Sequence, residues 1–168
     1  MNLPFEPIPE TFKNYDIMKR FAILLSLILS CSVAFMACNK DKDDEMTTLY
    51  DRLGGIDAIS AVVDQFITNV VADNTINARF AATAANPSRA QLLRNNLIDQ
   101  ICEGTGGPCK YKGKTMMEAH QGMNITEAEF NALVGDLVAA LDQFNVPDQE
   151  KNDLLGILGP MKSDIVGQ

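Results

Sequence analysis

The sequence contains no tryptophan, only one histidine, His120, and few basic residues. The single histidine disfavours a zinc site, which normally needs four protein ligands with cysteine or histidine close together in the chain. Lysine and arginine number 14 against 22 aspartate and glutamate residues, which gives a formal net charge of -8. Proteins that bind nucleic acid neutralise phosphates with basic side chains, so this charge balance argues against nucleic acid as a partner.

Strand patterns are also missing, since no segment alternates polar and apolar residues as a half-buried strand does. With 46% hydrophobic and 21% charged residues, the chain can nevertheless bury a sizeable core. Its length of 168 residues fits one domain of ordinary size with an additional segment. We therefore expect a single all-α domain, assigned to residues 47–168, preceded by a segment of different character.

The beginning of the chain has the features of a targeting signal. The basic tripeptide Met18-Lys19-Arg20 precedes an almost uncharged apolar run over residues 21–35, and Ala37 is the small residue before Cys38. This pattern predicts a bacterial lipoprotein signal peptide over residues 18–37, with Cys38 as the lipidated residue. The protein is then expected in the cell envelope, periplasmic or surface-exposed, and attached to the membrane through the lipid on Cys38.

Two other interpretations of this region stay open. Cys31 is a second candidate for lipidation, and the apolar run approaches the roughly 17–25 residues that a single membrane-spanning helix requires. Residues 1–17 lie upstream of a suitable start at Met18, and we interpret them as an extension from a start codon assigned too early. Residues 38–46 are strongly charged and predict an acidic, solvated tether.

Four longer helices are predicted after residue 47 from apolar residues at helical spacing. The first follows a short helix and Gly54-Gly55, where glycine permits a sharp turn. The second follows Pro87, the third starts with a capping-box pattern over residues 126–129, and the fourth follows Pro147, with a kink at Gly159-Pro160. The apolar positions of the first three helices are Ile59, Val62, Val63, Phe66, Val70, Leu92, Leu93, Leu97, Ile98, Ile101, Phe130, Leu133, Val134, Leu137, Val138, Leu141 and Phe144.

The connection between the second and third helices, residues 104–124, is longer than the roughly 2–8 residues usual in helical bundles. Long connections often have a functional role, and this one contains His120. Residues 116–120 are predicted to form about one helical turn with Met116 and His120 on the same face. A lone histidine is more often a surface or hydrogen-bonded residue than a metal ligand. Haem nevertheless needs only one protein histidine, because the porphyrin supplies four nitrogen ligands.

Three motifs in order resemble one known family: Leu49-Tyr50-Asp51-Arg52-Leu53-Gly54-Gly55, then Gly106-Gly107-Pro108-Cys109-Lys110-Tyr111-Lys112-Gly113-Lys114-Thr115-Met116, then Glu118-Ala119-His120. Together with Ile125-Thr126, they are similar to group I truncated haemoglobins over about residues 49–166. Each glycine pair alone is a weak signal, whereas the whole set in this order is specific. The resemblance implies a two-over-two helical sandwich of the truncated-globin type, which binds haem b between crossed helices.

In this resemblance, His120 matches the proximal histidine that ligates the haem iron. Phe80 matches the phenylalanine that stacks on the haem face, and Phe66 matches a second phenylalanine of the pocket. Tyr111 and Met116 match haem-contacting residues in the loop before the proximal histidine. Basic residues near the cavity mouth are candidate partners of the haem propionates, or else form a solvated face: Arg94, Lys110 and Lys114.

The distal side of the pocket departs from the family. Many members hold the oxygen ligand with a tyrosine on the first long helix and a glutamine on the distal helix. The matching positions here are Ile67 and Leu97, and Leu93 occupies a gate position that is leucine or glutamine in the family. Oxygen is therefore expected to leave quickly, unless a shifted distal helix brings Asn96 or Gln100 to the ligand.

Cys102 and Cys109 flank the glycine-rich loop between the second helix and His120. Outside the reducing cytosol, these residues are expected either to form a disulfide that closes the loop or to remain two free thiols. The sequence leaves both outcomes open. A thiol titration of the mature protein under non-reducing conditions distinguishes them.

Three functions from different classes follow from these observations. The leading hypothesis is reversible binding of a diatomic gas, O2 or NO, at haem iron, for sensing, supply or scavenging. The second is a haem enzyme, an NO dioxygenase or peroxidase-like, which needs an external reductase because the sequence shows no flavin or NAD motif. The third is a cofactor-free globin-fold lipoprotein, against which the joint presence of His120, Phe80, Tyr111 and Met116 argues.

Overall fold

The computed structural model describes residues 47–168 of the chain. The predicted upstream extension (1–17), signal peptide (18–37) and acidic tether (38–46) lie outside the described residues. Within them the structure has no β-strand, only an isolated parallel bridge between Ile125 and Val166, which confirms the all-α prediction. The helices are α1 (Leu49–Arg52), α2 (Gly55–Ala72), α3 (Asn77–Ala84), α4 (Pro87–Gly104), α5 (Met116–His120), α6 (Glu127–Gln143), α7 (Asp148–Leu158) and a terminal 3-10 helix (Gly159–Asp164).

The four longer helices begin close to the predicted signals. At the start of α6, the Glu129 amide donates to the Thr126 hydroxyl and the Thr126 amide donates to the Glu129 carboxylate. This reciprocal pair satisfies two of the amides that a helix N-terminus leaves without partners. At the start of α4, the Asn86 side chain accepts from the Arg89 amide and Pro87 occupies the first turn. The predicted helix starts at Pro87 and at the capping box are therefore confirmed.

The shorter helices α1 and α5 also begin with capping boxes, which were not recognised in the sequence. Helix α1 has a capping box between Thr48 and Asp51, and α5 has one between Thr115 and Glu118. Both follow the same spacing as the box that was recognised before α6, so the signal was present. Helix α3 has no side-chain cap and no buried residue, which explains why neither capping nor periodicity predicted it.

Helix α2 provides the central packing surface of the fold. It packs against both α4 and α6, while α3 packs on α4. By length and apolarity α2 is the one described helix that would suffice to span a membrane, and its buried stripe in the core explains that apolarity. The side chains buried around it include Ile59, Val62, Val63, Phe66, Val70, Ile98, Ile101, Cys102, Leu137, Ala140, Leu141 and Leu154.

The C-terminal end of the chain returns to the segment that follows α5. At Gly159-Pro160, where a kink was predicted, the α-helix α7 ends at Leu158 and the chain continues as the 3-10 helix from Gly159. Proline has no amide hydrogen and cannot continue the α-helical hydrogen bonding. Beyond the 3-10 helix, the Gly167 amide donates to the Ile125 carbonyl at 2.9 Å. The C-terminus thereby ties down the chain between α5 and α6.

A disulfide joins Cys102 at the end of α4 to Cys109, with 5.7 Å between their Cα atoms. Of the two alternatives, the structure therefore has the disulfide. Gly107 lies inside the closed loop, where a Cβ atom would be only 2.7 Å from Cys102 Sγ and 2.5 Å from the Tyr50 ring. Only glycine fits at this position, because any side chain would collide with the ring and the disulfide.

Reduction of this disulfide is expected to lower the free energy of unfolding by about 2–3 kcal/mol, the loop-closure entropy for a seven-residue separation. Urea unfolding with and without a thiol reductant measures the difference. The variant Cys109→Ser should already have the lower stability and should no longer respond to reductant. Two titratable thiols from this loop in the untreated protein would contradict the prediction.

Glu129 makes the stability of the described domain sensitive to acid. Its hydrogen-bonded pair with Arg79, together with the Thr126 cap, lowers the carboxyl pKa from 4.5 to about 2. A pKa lowered by folding stabilises the native state fully above about pH 4.5, and this contribution is lost as pH falls towards 2. We expect Glu129→Gln to flatten the pH dependence of urea unfolding between pH 5 and 2, since glutamine keeps the cap without titrating. An unchanged slope would contradict this assignment.

Candidate functional site

A cleft opens where α2, α3 and α4 meet. It encloses about 410 Å³ including its open mouth. Of its ten lining residues, only Thr83 has a polar side chain; the others are Phe66, Ile67, Val70, Val71, Phe80, Ala84, Ala90, Leu93 and Leu97. The lining of the cleft therefore suits an apolar group.

Five of the residues singled out from the sequence line this cleft: Phe66, Ile67, Phe80, Leu93 and Leu97. Helix α2 contributes the first two, α3 contributes Phe80, and α4 contributes the two leucines. The structure thus brings together side chains from three helices that are up to 31 positions apart in the chain. The other five lining residues were not predicted as site residues, although each lies three or four positions from one of the five above: Val70, Val71, Thr83, Ala84 and Ala90.

The distal wall of the cleft offers little hydrogen bonding. Ile67, Leu93 and Leu97 all present aliphatic side chains. Asn96 lies outside the lining, and the Gln100 amide is directed elsewhere, donating to the sulfur atoms of Met116 at 3.6 Å and Met161 at 3.4 Å. Thioether sulfur is a weak acceptor, so this amide is only weakly held.

His120 ends the short helix α5 and is half-buried. Its Nδ1 lies 2.7 Å from the Met116 carbonyl oxygen, which can only accept, so Nδ1 bears the proton. In the neutral ring this tautomer leaves the lone pair on Nε2, as a metal-ligating imidazole requires. The Thr115 and Glu118 capping box fixes the start of α5 and so helps to orient the ring.

Met116 connects the histidine to the helix that forms the cleft wall. Its sulfur contacts the Gln100 amide, and Gln100 lies one turn beyond Leu97 on α4. The Met116 carbonyl accepts the hydrogen bond from Nδ1 of the His120 ring. His120 lies outside the cleft lining, but it is linked to the wall through these two consecutive contacts.

Tyr111 lies in the connection before α5, and both its backbone amide and its hydroxyl are hydrogen-bonded. Its amide donates to the Glu103 carboxylate at 2.9 Å, and its hydroxyl donates to the Lys114 carbonyl at 2.7 Å. Partial burial raises the pKa of the Tyr111 phenol, which therefore stays protonated at neutral pH. Gly113 makes this arrangement possible, because a Cβ there would lie 2.3 Å from the Tyr111 hydroxyl oxygen.

The basic residues considered for the haem propionates already have acidic neighbours in two cases. Arg94 forms a paired contact with Asp64 of α2, at 2.5 and 2.8 Å, and this pairing lowers the pKa of the Asp64 carboxyl. Lys110 lies 3.1 Å from Glu103. Lys114 is exposed. Arg94 and Lys110 would each have to break an existing ion pair to bind a propionate.

These observations define a class of protein: an all-helical globin-type domain with an apolar cleft between crossed helices and a histidine whose Nε2 is free. Residues 48–166 match the family described as bacterial-like globin. The group 1 truncated hemoglobin GlbN of Mycolicibacterium paratuberculosis is 32% identical over 121 residues, which cover 72% of this chain and 85% of that protein.

Solved structures agree with the sequence comparison. The crystal structure of truncated hemoglobin from Tetrahymena pyriformis in the Fe(III) form matches with a TM-score of 0.66 and 32% identity, covering 73% of this chain and 100% of that one. The 2/2 hemoglobin of Synechococcus sp., in the cyanomet state and with covalently attached heme, matches with a TM-score of 0.65 and 26% identity, covering 71% and 98%.

The chain therefore belongs to the bacterial-like globin family, and its relatives are group 1 truncated haemoglobins. The predicted two-over-two helical sandwich is confirmed. Binding of a gas at haem is the general function of this family. The family match covers residues 48–166 and does not reach the first part of the chain.

Proposed function

We propose that this protein binds O2 or NO reversibly at haem b, with His120 Nε2 as the one protein ligand of the iron. The observation that supports this most directly is the Nδ1 hydrogen bond to the Met116 carbonyl, which leaves Nε2 free. An imidazole held in this way has a defined tautomer and a fixed ring orientation. When bound, haem supplies an iron atom with an open coordination position for a diatomic ligand.

The residues that line the cleft and those around His120 fit a haem group. Phe66 and Phe80 contribute aromatic rings to the lining of the cleft, and Met116 and Tyr111, which precede His120, both contact α4, through Gln100 and Glu103. A porphyrin is large and apolar apart from its propionates, so an almost wholly apolar lining favours it through burial. Lys114 is exposed and offers its charge to a propionate. These side chains bind and orient; none of them reacts.

The distal wall determines how long a polar ligand stays. Ile67, Leu93 and Leu97 exclude water and donate no hydrogen bond. A donor at this place would contribute about 1.5–3 kcal/mol to holding a partly negative ligand. Its absence favours fast release of O2, which suits exchange or sensing more than storage.

We also propose that the domain is held at the cell envelope by lipid on Cys38. The support is the sequence pattern alone: a basic start, an apolar run and a small residue before the cysteine. Intact mass spectrometry of protein from membranes should find diacylglyceryl and acyl groups on Cys38. Cys38→Ala should abolish this modification, whereas a modification on Cys31 or none at all would contradict the proposal.

Absorption spectra of the ferric, ferrous and CO-bound forms test the gas-binding proposal. We expect a Soret band at one haem per chain and an O2 dissociation rate faster than that of relatives with distal tyrosine and glutamine. A spectrum without haem would contradict the proposal. Nitrate formation from NO over many turnovers with an external reductase would instead indicate an enzyme.

A further inference from the structure

One polar contact joins two parts of the site that no short stretch of sequence connects. Arg79 precedes Phe80 on α3, and its guanidinium makes three contacts. Nε and Nη2 donate to the two Glu129 oxygens at 2.7 and 3.1 Å, and Nη1 donates to the Met123 carbonyl at 2.8 Å. A bidentate pair of this kind has a fixed geometry, which lysine cannot reproduce.

Both partners of Arg79 belong to the segment that follows His120. The Met123 amide donates to the His120 carbonyl at 2.9 Å, so Met123 is hydrogen-bonded directly to the backbone of the histidine. Glu129 caps α6 through Thr126, which fixes the far end of the same segment. The C-terminus also contacts this segment, because the Gly167 amide donates to the Ile125 carbonyl. Arg79 is the link from this segment to α3.

We propose that Arg79 is a positioning residue for the haem site: it holds the helix that bears Phe80 and the turn that bears His120 as one unit. This inference rests on the proposed function, in which Phe80 lies against the haem and His120 ligates its iron. Helix α3 has no capping side chain and no fully buried residue of its own, so Arg79 adds a polar anchor to the packing of the partly buried Phe80 against the core. Without Arg79, the histidine turn would lose its connection to that wall of the cleft.

The chain contains a closely matched control. Arg52 also bridges two carboxylates, of Glu150 and Asp153, and also donates to a backbone carbonyl, that of Thr47. Its exposed fraction, 32%, is close to the 36% of Arg79. Arg52 connects α1 to α7 and contacts neither α3 nor the segment after His120. A general effect of losing an ion pair should therefore be the same in both variants.

The test compares Arg79→Gln with Arg52→Gln in the haem-loaded protein. In Arg79→Gln we expect haem transfer to excess apomyoglobin to become about tenfold faster, as for other outer-shell changes around a metal site. The iron–histidine stretching band of the ferrous form should shift or broaden in the resonance Raman spectrum. Hydrogen exchange of the Met123 amide should also become faster. Arg52→Gln should leave all three measurements unchanged.

Two further variants separate the contacts of Arg79. Glu129→Gln keeps the cap of α6 but removes the charge that holds the guanidinium, so it should reproduce part of the Arg79→Gln effect. Arg79→Lys keeps a charge for Glu129 but cannot also reach the Met123 carbonyl, so the Raman change should persist.

The inference is wrong if the wild type shows a normal iron–histidine band and Arg79→Gln changes neither this band nor the rate of haem transfer. A wild-type protein without any iron–histidine band would overturn the proposed function as well.

Discussion

His120→Ala should lose haem, with retention weakened by more than about a hundredfold. Changes in the residues that merely orient a metal ligand already cost roughly 10–100-fold in affinity, and this change removes the ligand itself. The half-buried ring leaves a space when it is deleted. Imidazole added to the buffer should enter that space and restore part of the Soret band. The measurement is Soret absorbance per chain after gel filtration, with and without imidazole.

Gln121→Ala is the control for this result. Gln121 is the next residue, and its side chain is exposed. Its truncation should leave the spectrum and the haem content as in the wild type. Circular dichroism would show that both variants remain helical. A His120→Ala variant that kept an unshifted Soret band would show that another residue ligates the iron.

Ile67→Tyr should slow O2 dissociation by about ten- to a hundredfold. Ile67 lines the cleft from α2, at the position where many relatives have a tyrosine. A hydroxyl there would donate to the partly negative ligand, and such a bond contributes about 1.5–3 kcal/mol. Stopped-flow displacement of O2 by CO measures the rate. CO dissociation should change much less, because CO carries less negative charge on its outer atom.

Ile67→Phe separates the hydroxyl from the ring. It adds nearly the same volume to the cleft without a donor, so its O2 dissociation rate should stay close to that of the wild type. Equal slowing in both variants would mean that the ring restricts the exit of the ligand. Unchanged rates in both would mean that this side chain does not reach the ligand, and Thr83 would be the next donor to replace.

The helices show how far local sequence signals extend. The start of α6 was predicted from four residues because Thr126 and Glu129 satisfy backbone amides within one turn of each other. The start of α4 followed from Pro87 in the same way. Helix α3 was not predicted, since it lacks both a capping side chain and a fully buried residue. Its place comes from contacts made elsewhere, such as the pair of Arg79 with Glu129 50 positions later.

The helical class, the main helix boundaries, the apolar character of the distal wall and the single candidate ligand, His120, could all be predicted from the sequence. These properties depend on residue type and short spacing, which are present in the unfolded chain. Three contacts became known from the folded domain alone: the bond between Cys102 and Cys109, the hydrogen bonds of Gln100 to two methionines, and the link that Arg79 makes between α3 and the histidine turn. Each of these depends on the distance and orientation of groups from separate elements, which packing of the whole domain determines.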